Sequence, residues 1–192
     1  MPKGRESGMP DEEYWATFFD PACVLAALDC TGLKGDVVEF GCGYGTFTEE
    51  AARRTRSTVV ALDIDADMVE RTARRVAAAG LANVAVEQRD FTADGCGRAV
   101  ESADYALLFN ILHVEEPTDL LREAFRVLRP GGKAGVIHWN HDRSTPRGPS
   151  MEIRPRPEQC RTWAEEAGFE FHRFETLACC PYHYGLVLRR PE

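Results

Sequence analysis

The chain has 192 residues, of which 44% are hydrophobic and 28% are charged, and its formal net charge is −8. This length suits one globular domain with a sizeable core. The acidic balance disfavours nucleic acid as a partner, since it repels a phosphate backbone, and no apolar run approaches the roughly 20 residues that span a bilayer.

The seven cysteines of the chain give an expectation about its surroundings. Their number is odd, and the first residues hold no apolar segment that resembles a signal peptide. We therefore expect reduced thiols and a cytoplasmic location.

The N-terminal part predicts an arm followed by two helices. Residues 1–10 are polar and rich in glycine and proline, which indicates a loose arm. Residues 11–19 begin with three acids and continue with aromatic side chains, and they predict a short amphipathic helix. A second helix is expected to begin at Pro21 and to end near Gly32.

The aromatic side chains of the first predicted helix are candidates for a lid over a ligand site. They include Tyr14, Trp15 and Phe18. Ordinary core packing explains the same residues equally well, so both interpretations stay open. We divide the chain into an N-terminal arm with helices, residues 1–33, and a globular domain, residues 34–192.

After Gly35 the pattern alternates between apolar runs and amphipathic segments. The apolar runs predict strands at 36–40, 58–62, 83–88, 103–109 and 133–139. Near-continuous apolar runs are typical of parallel strands that are covered on both faces. The amphipathic segments predict helices at 45–54, 65–79 and 117–128. The alternation predicts a doubly wound α/β domain with three layers, α/β/α.

The C-terminal part departs from this alternation. A loop at 140–157 precedes a helix predicted at 157–167, and two strands follow at 168–175 and 183–189. Consecutive strands with a short connection pair antiparallel. We therefore expect a seven-stranded, mostly parallel sheet in which the last strand is inserted antiparallel to its neighbours.

The most informative stretch is 36–48, where a predicted strand runs into Gly41, Gly43 and Gly45. Asp63 closes the next apolar run. The glycines allow a tight turn and the close approach of a ligand to the backbone, and Asp63 can accept two hydrogen bonds from a ribose diol. Together these parts predict a nucleoside-binding site.

The glycine spacing and Glu39 disfavour a dinucleotide. The dinucleotide fingerprint is G-x-G-x-x-G, but Thr46 stands at its last position. Glu39 lies two residues before Gly41 and would repel a pyrophosphate. Its carboxylate suits a cationic group such as an amine or a sulfonium, and such charge-assisted hydrogen bonds contribute about 1.5–3 kcal/mol. An NAD-type oxidoreductase is therefore a poor interpretation.

Five short motifs resemble, in order, those of the class I S-adenosylmethionine-dependent methyltransferases, most of all the type 11 methyltransferase domains. They are residues 37–45, 61–65, 88–91, 109–114 and 128–133. The resemblance covers residues 34–140. It implies a Rossmann-like sheet, methyltransferase activity and S-adenosyl-L-methionine as the cofactor.

The resemblance also implies a cofactor site. Its residues are Glu39, Gly41, Cys42, Gly43, Gly45, Asp63, Ile64, Asp90, Phe91 and Asn110. Asp90 would accept from the adenine amino group, Phe91 would stack on the ring, and Asn110 would lie beside the transferable methyl group. From the residues alone, a helix or turn cap is the alternative role of Asp90, and Cys42 fills a small space in the loop.

Methyl transfer from a sulfonium needs little beyond positioning, which can supply about 7–11 kcal/mol of the barrier. A general base helps where the acceptor is a hydroxyl or an acidic carbon. His113, just after the fourth strand, is the candidate base, with packing at a helix start as its alternative role. His138 and His141 flank the end of the fifth strand and are candidate substrate residues.

Two other functions stay open. One is a non-catalytic module that binds S-adenosylmethionine. The other is a methyltransferase that handles a metal or metalloid through Cys179, Cys180 and nearby histidines, although adjacent side chains on a strand face opposite ways. We expect no resident metal and a small-molecule acceptor, which the sequence does not identify. It also leaves the oligomeric state open.

Overall fold

The computed structural model describes residues 9–192, so most of the predicted arm lies outside the described residues. The helices are α1 Glu12–Ala16, α2 Pro21–Ala27, α3 Thr48–Arg54, α4 Ala66–Ala78, α5 Phe91–Asp94, α6 Pro117–Val127 and α7 Pro157–Glu166. The strands are β1 Asp36–Phe40, β2 Val59–Asp63, β3 Val84–Gln88, β4 Ala103–Phe109, β5 Leu128–Trp139, β6 Glu170–Thr176 and β7 His183–Arg189.

The strands form one sheet in the order β3-β2-β1-β4-β5-β7-β6. The pairs from β3 to β5 are parallel, whereas β7 pairs antiparallel with both β5 and β6. This topology confirms the predicted sheet, including the antiparallel insertion of the last strand. Since β1, β2 and β4 run in parallel, the loops that follow them meet at one edge.

The two faces of the sheet carry separate apolar cores. One contains Leu121 and Val127 of α6 together with Phe40 of β1. The other contains Leu25 of α2 and Tyr105 of β4. The helices that follow Gly35 are amphipathic because each covers one face of the sheet, which gives the three-layer architecture.

Several boundaries differ from the prediction. Helix α1 ends at Ala16, and α2 ends at Ala27 because Asp29 adopts a left-handed conformation with φ of 60°. Strand β5 begins at Leu128, since that residue already pairs with Ala103 across an irregular register. The four-residue helix α5 was not predicted, because one turn leaves no periodic pattern.

The expectation of seven reduced thiols was wrong. Cys23 of α2 and Cys179 of the β6–β7 connection form a disulfide across 156 positions of the chain. Cys180 remains a buried free thiol. The disulfide ties the N-terminal helices to the sheet. The cytoplasmic location remains a prediction, and no helix in residues 9–192 is long and apolar enough to cross a membrane.

Candidate active site

A cavity of about 340 Å³ opens at the edge where β1, β2 and β4 end. Its walls are the glycine loop, Asp63 with the residue after it, the turn after β4, Trp139 and parts of the N-terminal segment and the 147–153 loop. The lining residues are Met9, Pro10, Trp15, Gly41, Cys42, Gly43, Thr46, Phe47, Asp63, Ile64, Phe91, Phe109, Asn110, Ile111, His113, Trp139, Arg147, Gly148, Pro149 and Ile153.

The glycine loop is held so that its backbone faces this cavity. The backbone N–H groups of Gly41 and Cys42 both donate to the Leu62 carbonyl, at 2.9 and 2.8 Å. Gly43 has a φ of 53° and its carbonyl accepts from Thr72 Oγ1 at 2.8 Å. A positive φ favours glycine, so the predicted role of the loop as a tight turn agrees with its conformation.

Asp63 ends β2 on the cavity wall and is only 8% exposed. Its Oδ2 accepts from the Gly43 N–H at 2.9 Å, and its Oδ1 accepts from the Asp65 N–H at 3.0 Å. Burial raises the pKa of Asp63, while these two backbone donors oppose the rise. Each carboxylate oxygen retains acceptor capacity, which suits a diol.

Glu39 lies beneath the glycine loop rather than on the cavity wall. Its carboxylate accepts a hydrogen bond from the Thr48 hydroxyl and is 2% exposed. Burial raises the pKa of Glu39 to about 8, and the nearby Asp63 adds to the rise. Direct contact between Glu39 and a ligand remains a prediction; with this pKa the buried acid is mostly protonated at pH 7 in the chain without a ligand.

Asn110 gives the clearest sign of a ligand. It follows β4 with a φ of 54°, and its backbone N–H donates to Ile137 at 2.8 Å. Both polar atoms of its side-chain amide are buried and have no hydrogen-bond partner within residues 9–192. Unpaired buried polar groups are rare and costly, so a ligand in the adjoining cavity would satisfy them.

The predicted adenine residues divide into two environments. Phe91 lines the cavity with Ile64, and its ring packs edge-on against Phe40 with centroids 5.5 Å apart. Asp90 caps α5, because its Oδ1 accepts from the backbone N–H groups of Thr92 and Ala93. The capping interpretation of Asp90 therefore holds in this structure, and its contact with adenine stays a prediction.

His113 lies on the cavity wall opposite the glycine loop. Its Nδ1 is 3.3 Å from Nε2 of His138, and the two rings meet edge to face. Burial lowers the pKa of both imidazoles, which favours the neutral form of each. His138 is fully buried within β5 and does not line the cavity itself.

A second cavity of about 630 Å³ lies on the other side of His113. It is bounded by the turn after β4, the 151–156 loop and the start of α7. Its lining residues are Leu112, His113, Val114, Glu115, Pro117, His141, Met151, Glu152, Ile153, Arg154, Pro155, Arg156, Gln159 and Trp163. The predicted substrate residue His141 thus belongs to this second cavity.

Arg154 holds the loop between the two cavities in place. Its buried guanidinium donates to the backbone carbonyls of Asn140, Asp142 and Pro149 and to others of the same loop. The Arg154 carbonyl in turn lies 2.9 Å from Nδ1 of His141. The loop between the two cavities is therefore held in one conformation by Arg154. Its sequence did not predict this.

Of the three predicted lid residues, Trp15 lines the cavity. Its ring packs against Phe19 and Trp139, with centroids 4.8 and 6.4 Å away. Phe18 is 7% exposed and belongs to the core, and Tyr14 is 41% exposed. Sequence reasoning also missed the aromatic walls Phe47, Phe109 and Trp139, because an apolar residue near a strand end gives no signal that separates lining from packing.

The chemical groups around the first cavity fit S-adenosyl-L-methionine. They comprise a carboxylate for a diol, an unpaired amide, a glycine backbone, and apolar walls with a buried acid beneath the loop. Within residues 9–192 no group of three or more His, Cys, Asp or Glu side chains is placed to hold a metal ion.

Comparisons with known proteins give the family. A model described as "Methyltransferase domain" matches residues 37–132. Sterol 24-C-methyltransferase of Aspergillus fumigatus is 27% identical over an alignment of 175 positions that covers 81% of this chain and 46% of that protein. Ubiquinone biosynthesis O-methyltransferase of Pseudomonas fluorescens is 26% identical over an alignment of 172 positions that covers 79% of this chain and 72% of that protein.

The fold is similar to a solved S-adenosylmethionine-dependent methyltransferase from Aquifex aeolicus. The TM-score is 0.78 at 22% identity, and the match covers 93% of both chains. The chain spans about half the length of the first curated relatives that it matches. With the glycine loop, Asp63 and the sheet order, these matches confirm the family: the chain belongs to the class I S-adenosylmethionine-dependent methyltransferases.

Proposed function

We propose that this chain transfers a methyl group from S-adenosyl-L-methionine to an oxygen or an activated carbon of a small, largely apolar acceptor. The observation that carries the proposal is the position of His113, which lines both cavities. Ile153 is the other side chain that the two cavities share. A neutral imidazole at this junction can take a proton from an acceptor that reaches the first cavity from the second.

The cofactor site in this proposal is the first cavity. Asp63 would accept from the ribose hydroxyls, and Asn110 would satisfy its unpaired amide on the methionine part. Phe91 and Ile64 would enclose the adenine. Glu39 would ionise when the cationic end binds and stabilise it from beneath the loop, because a nearby cation lowers the pKa that burial has raised.

The aromatic walls exclude water and suit a cation. Trp15, Phe47 and Phe109 line the cavity with His113, and aromatic faces attract cations such as a sulfonium. The cofactor supplies a methyl group that its sulfonium has already activated for displacement. The chain therefore needs to orient the acceptor and to manage one proton.

His113 would manage that proton. The acceptor O–H or C–H bond breaks as its proton moves to Nε2 of His113, and the electron pair that stays on the acceptor forms the bond to the methyl carbon. The methyl–sulfur bond breaks with its electron pair left on sulfur. Burial lowers the pKa of His113, which keeps the ring in the neutral form that a base requires.

The size of the cavities supports an acceptor in the second one. The first cavity, about 340 Å³, lies near the lower end of the roughly 300–1,000 Å³ typical of small-molecule sites. The cofactor would fill most of it. The second cavity, about 630 Å³, combines apolar side chains such as Met151 and Trp163 with a polar rim that includes Glu152 and Arg156.

The relatives agree with this acceptor class. The two curated relatives described above are named for a sterol and for ubiquinone biosynthesis, and a ring or chain with one hydroxyl would match the mixed walls of the second cavity. The N-terminal helices, within residues 1–33, would act as a lid through Trp15. Their disulfide to the β6–β7 connection would keep that lid on the site.

A labelled-cofactor assay tests the acceptor class. The protein is incubated with methyl-labelled S-adenosyl-L-methionine and three probes: an alkyl-substituted catechol, an alkyl-substituted phenol without the second hydroxyl, and an aliphatic amine of the same chain length. We expect label on oxygen or ring carbon of the phenolic probes. Transfer to the amine alone would contradict the proposal, because a neutral amine needs no base.

Binding experiments separate the cofactor from the acceptor. S-adenosylhomocysteine should bind and raise the melting temperature, whereas NAD should not. A protein that binds S-adenosylhomocysteine but transfers no label to any probe or to fractionated extract would instead be a non-catalytic binding module.

A further inference from the structure

His141 is a second imidazole on the wall of the larger cavity, and the reaction proposed above does not use it. It lies just beyond the end of β5 and lines the cavity of about 630 Å³ together with His113. The residue is half-buried. Its Nδ1 lies 2.9 Å from the backbone carbonyl oxygen of Arg154.

This contact fixes where the His141 ring carries its proton. A backbone carbonyl can only accept a hydrogen bond, so Nδ1 of His141 must be the donor. In a neutral imidazole the other nitrogen then has no proton and presents a lone pair. The tautomer of neutral His141 therefore follows from the identity of its partner and from the distance between the two atoms.

The partner carbonyl is itself held in place. The Arg154 guanidinium belongs to a residue that is 7% exposed, and it donates to several backbone carbonyls of the same loop, among them those of Asn140 and Pro149. The carbonyl of Arg154 thus belongs to a loop that its own side chain restrains. The hydrogen bond to this carbonyl orients the His141 ring.

Nε2 of His141 is open to the cavity. Within residues 9–192 it makes no hydrogen bond, and it is not buried. The charged and amide side chains on exposed residues form the rim of this cavity; they are Glu115, Glu152, Arg156 and Gln159. The half-buried part of the wall carries His141, His113 and the Trp163 indole, which can only donate.

We propose that His141 is a specificity-determining residue: its Nε2 accepts a hydrogen bond from a second hydroxyl of the acceptor, other than the group that is methylated. The inference rests on the proposed function, in which His113 takes the proton of the reacting group. It narrows the acceptor class from a ring or chain with one hydroxyl to one with two.

Desolvation is the physical reason for this preference. Nε2 of His141 is not buried, so water can donate to it before an acceptor binds. A bound ring or chain covers the nitrogen, and an acceptor without a second donor leaves its lone pair unpaired. A second hydroxyl at this place restores the hydrogen bond.

Two substitutions of His141 separate the cavity contact from the loop contact. In His141→Asn the amide nitrogen can replace Nδ1 as the donor to Arg154, but nothing replaces Nε2. In His141→Gln the amide reaches the place of Nε2, and its oxygen can accept from a ligand. Glu152→Gln is the control for the rim, since Glu152 lines the same cavity from an exposed residue.

Calorimetry with S-adenosylhomocysteine present measures the binding of three probes: an alkyl-substituted catechol, the matching resorcinol and the matching phenol. The unmodified protein should bind one of the dihydric probes about 2- to 10-fold more tightly than the phenol, as one hydrogen bond between neutral groups contributes. His141→Asn should lose this preference and bind the phenol as before. His141→Gln should keep part of the preference, and Glu152→Gln all of it.

Nuclear magnetic resonance of ¹⁵N-histidine protein tests the tautomer without any probe. His141, assigned through the loss of its signals in His141→Asn, should carry its proton on Nδ1 when neutral. A proton on Nε2 would overturn the proposal even if a variant fails to fold. The same holds for equal binding of all three probes by the unmodified protein, and for a dihydric preference that His141→Asn retains.

Failure of the proposed function gives a different result. If a dihydric probe binds with the expected preference and no probe receives label from methyl-labelled S-adenosyl-L-methionine, the role of His141 in binding stands and methyl transfer to this class fails. If the probes are methylated with the same selectivity by the unmodified protein and by His141→Asn, the proposed function stands and the role of His141 is wrong.

Discussion

The carboxylate of Asp63 accepts a hydrogen bond from the backbone N–H of Gly43, with Oδ2 and N 2.9 Å apart. This bond joins the end of β2 to the glycine loop after β1, two neighbouring parallel strands. It orients the carboxylate along the cavity wall and restrains the turn that carries Gly43. One side chain therefore both shapes the loop and presents an acceptor to a ligand.

Asp63→Asn should weaken the binding of S-adenosylhomocysteine by about 1.5–3 kcal/mol, or roughly 10- to 150-fold, because a charged acceptor for two hydroxyls becomes a neutral one. The Asn oxygen can still accept from Gly43, so the fold should persist. Calorimetry measures the affinity. Asp65→Asn is the control, since Asp65 caps α4 and does not line the cavity; an equal loss there would point to a general charge effect.

Glu39 should make stability depend on pH. Its pKa rises from an ordinary 4.5 to about 8 in the folded chain, mainly through burial. The unfolded chain therefore binds fewer protons between these values, and stability falls as the pH rises through that window. Glu39→Gln cannot ionise and still offers Thr48 an acceptor. The free energy of unfolding of Glu39→Gln should exceed that of the unmodified protein. The difference should grow toward pH 8, to on the order of 3–5 kcal/mol.

Urea unfolding at pH 5 and pH 8 measures this gain. Glu70→Gln is the control, because the Glu70 carboxylate is exposed and pairs with Arg74 one helical turn away. A gain for Glu39→Gln that is the same at both pH values would contradict the buried-acid interpretation. We also expect Glu39→Gln to bind S-adenosyl-L-methionine more weakly, so the stabilised variant should lose affinity.

Trp15→Ala tests the lid. The side chain lines the first cavity, which the cofactor would fill, so its removal should weaken the binding of S-adenosylhomocysteine and raise the KM for S-adenosyl-L-methionine. Tyr14→Ala is matched to it, since Tyr14 lies on the same helix but is 41% exposed. If the two substitutions change the KM equally, the effect comes from helix α1 as a whole and not from the Trp15 ring.

The disulfide between Cys23 and Cys179 should stabilise the chain. It closes a loop of 156 positions, and constraints on such long loops contribute about 2–5 kcal/mol through the unfolded state. Thermal unfolding should shift downward when dithiothreitol is added, and Cys23→Ser should be as unstable as the reduced protein. Thiol titration of the denatured, non-reduced chain should find five free thiols; seven would contradict the bond.

Local pattern was enough to predict the sheet. The runs that became β1 and β4 are nearly continuous apolar segments, and the glycines after Phe40 mark the turn where a ligand approaches. The start of β5 was misplaced, because Pro130 and the two glycines after it resemble a turn in sequence. There Leu128 is held in the sheet by its pairing with Ala103, which is a tertiary effect.

The sequence predicts which site residues meet only where those residues belong to one motif. Asp63 and Gly43 are 20 positions apart, but a glycine turn after one strand and an acid at the end of the next form a known motif, which predicts that they meet. His113 and His138 are 25 positions apart, and their contact depends on β4 and β5 being neighbours. The partner of Cys23 and the role of Arg154 likewise arise from loops that meet only in the folded chain.

The most direct test of the proposed function is methyl transfer by the unmodified protein and by His113→Asn. Both are given methyl-labelled S-adenosyl-L-methionine with the alkyl-substituted catechol or fractionated extract. We expect label in a small molecule with the unmodified protein, and a rate lower by about 10²- to 10⁴-fold in the variant, with S-adenosylhomocysteine affinity unchanged. Label in macromolecules alone, or an equal rate in the variant, would contradict a small acceptor or His113 as its base.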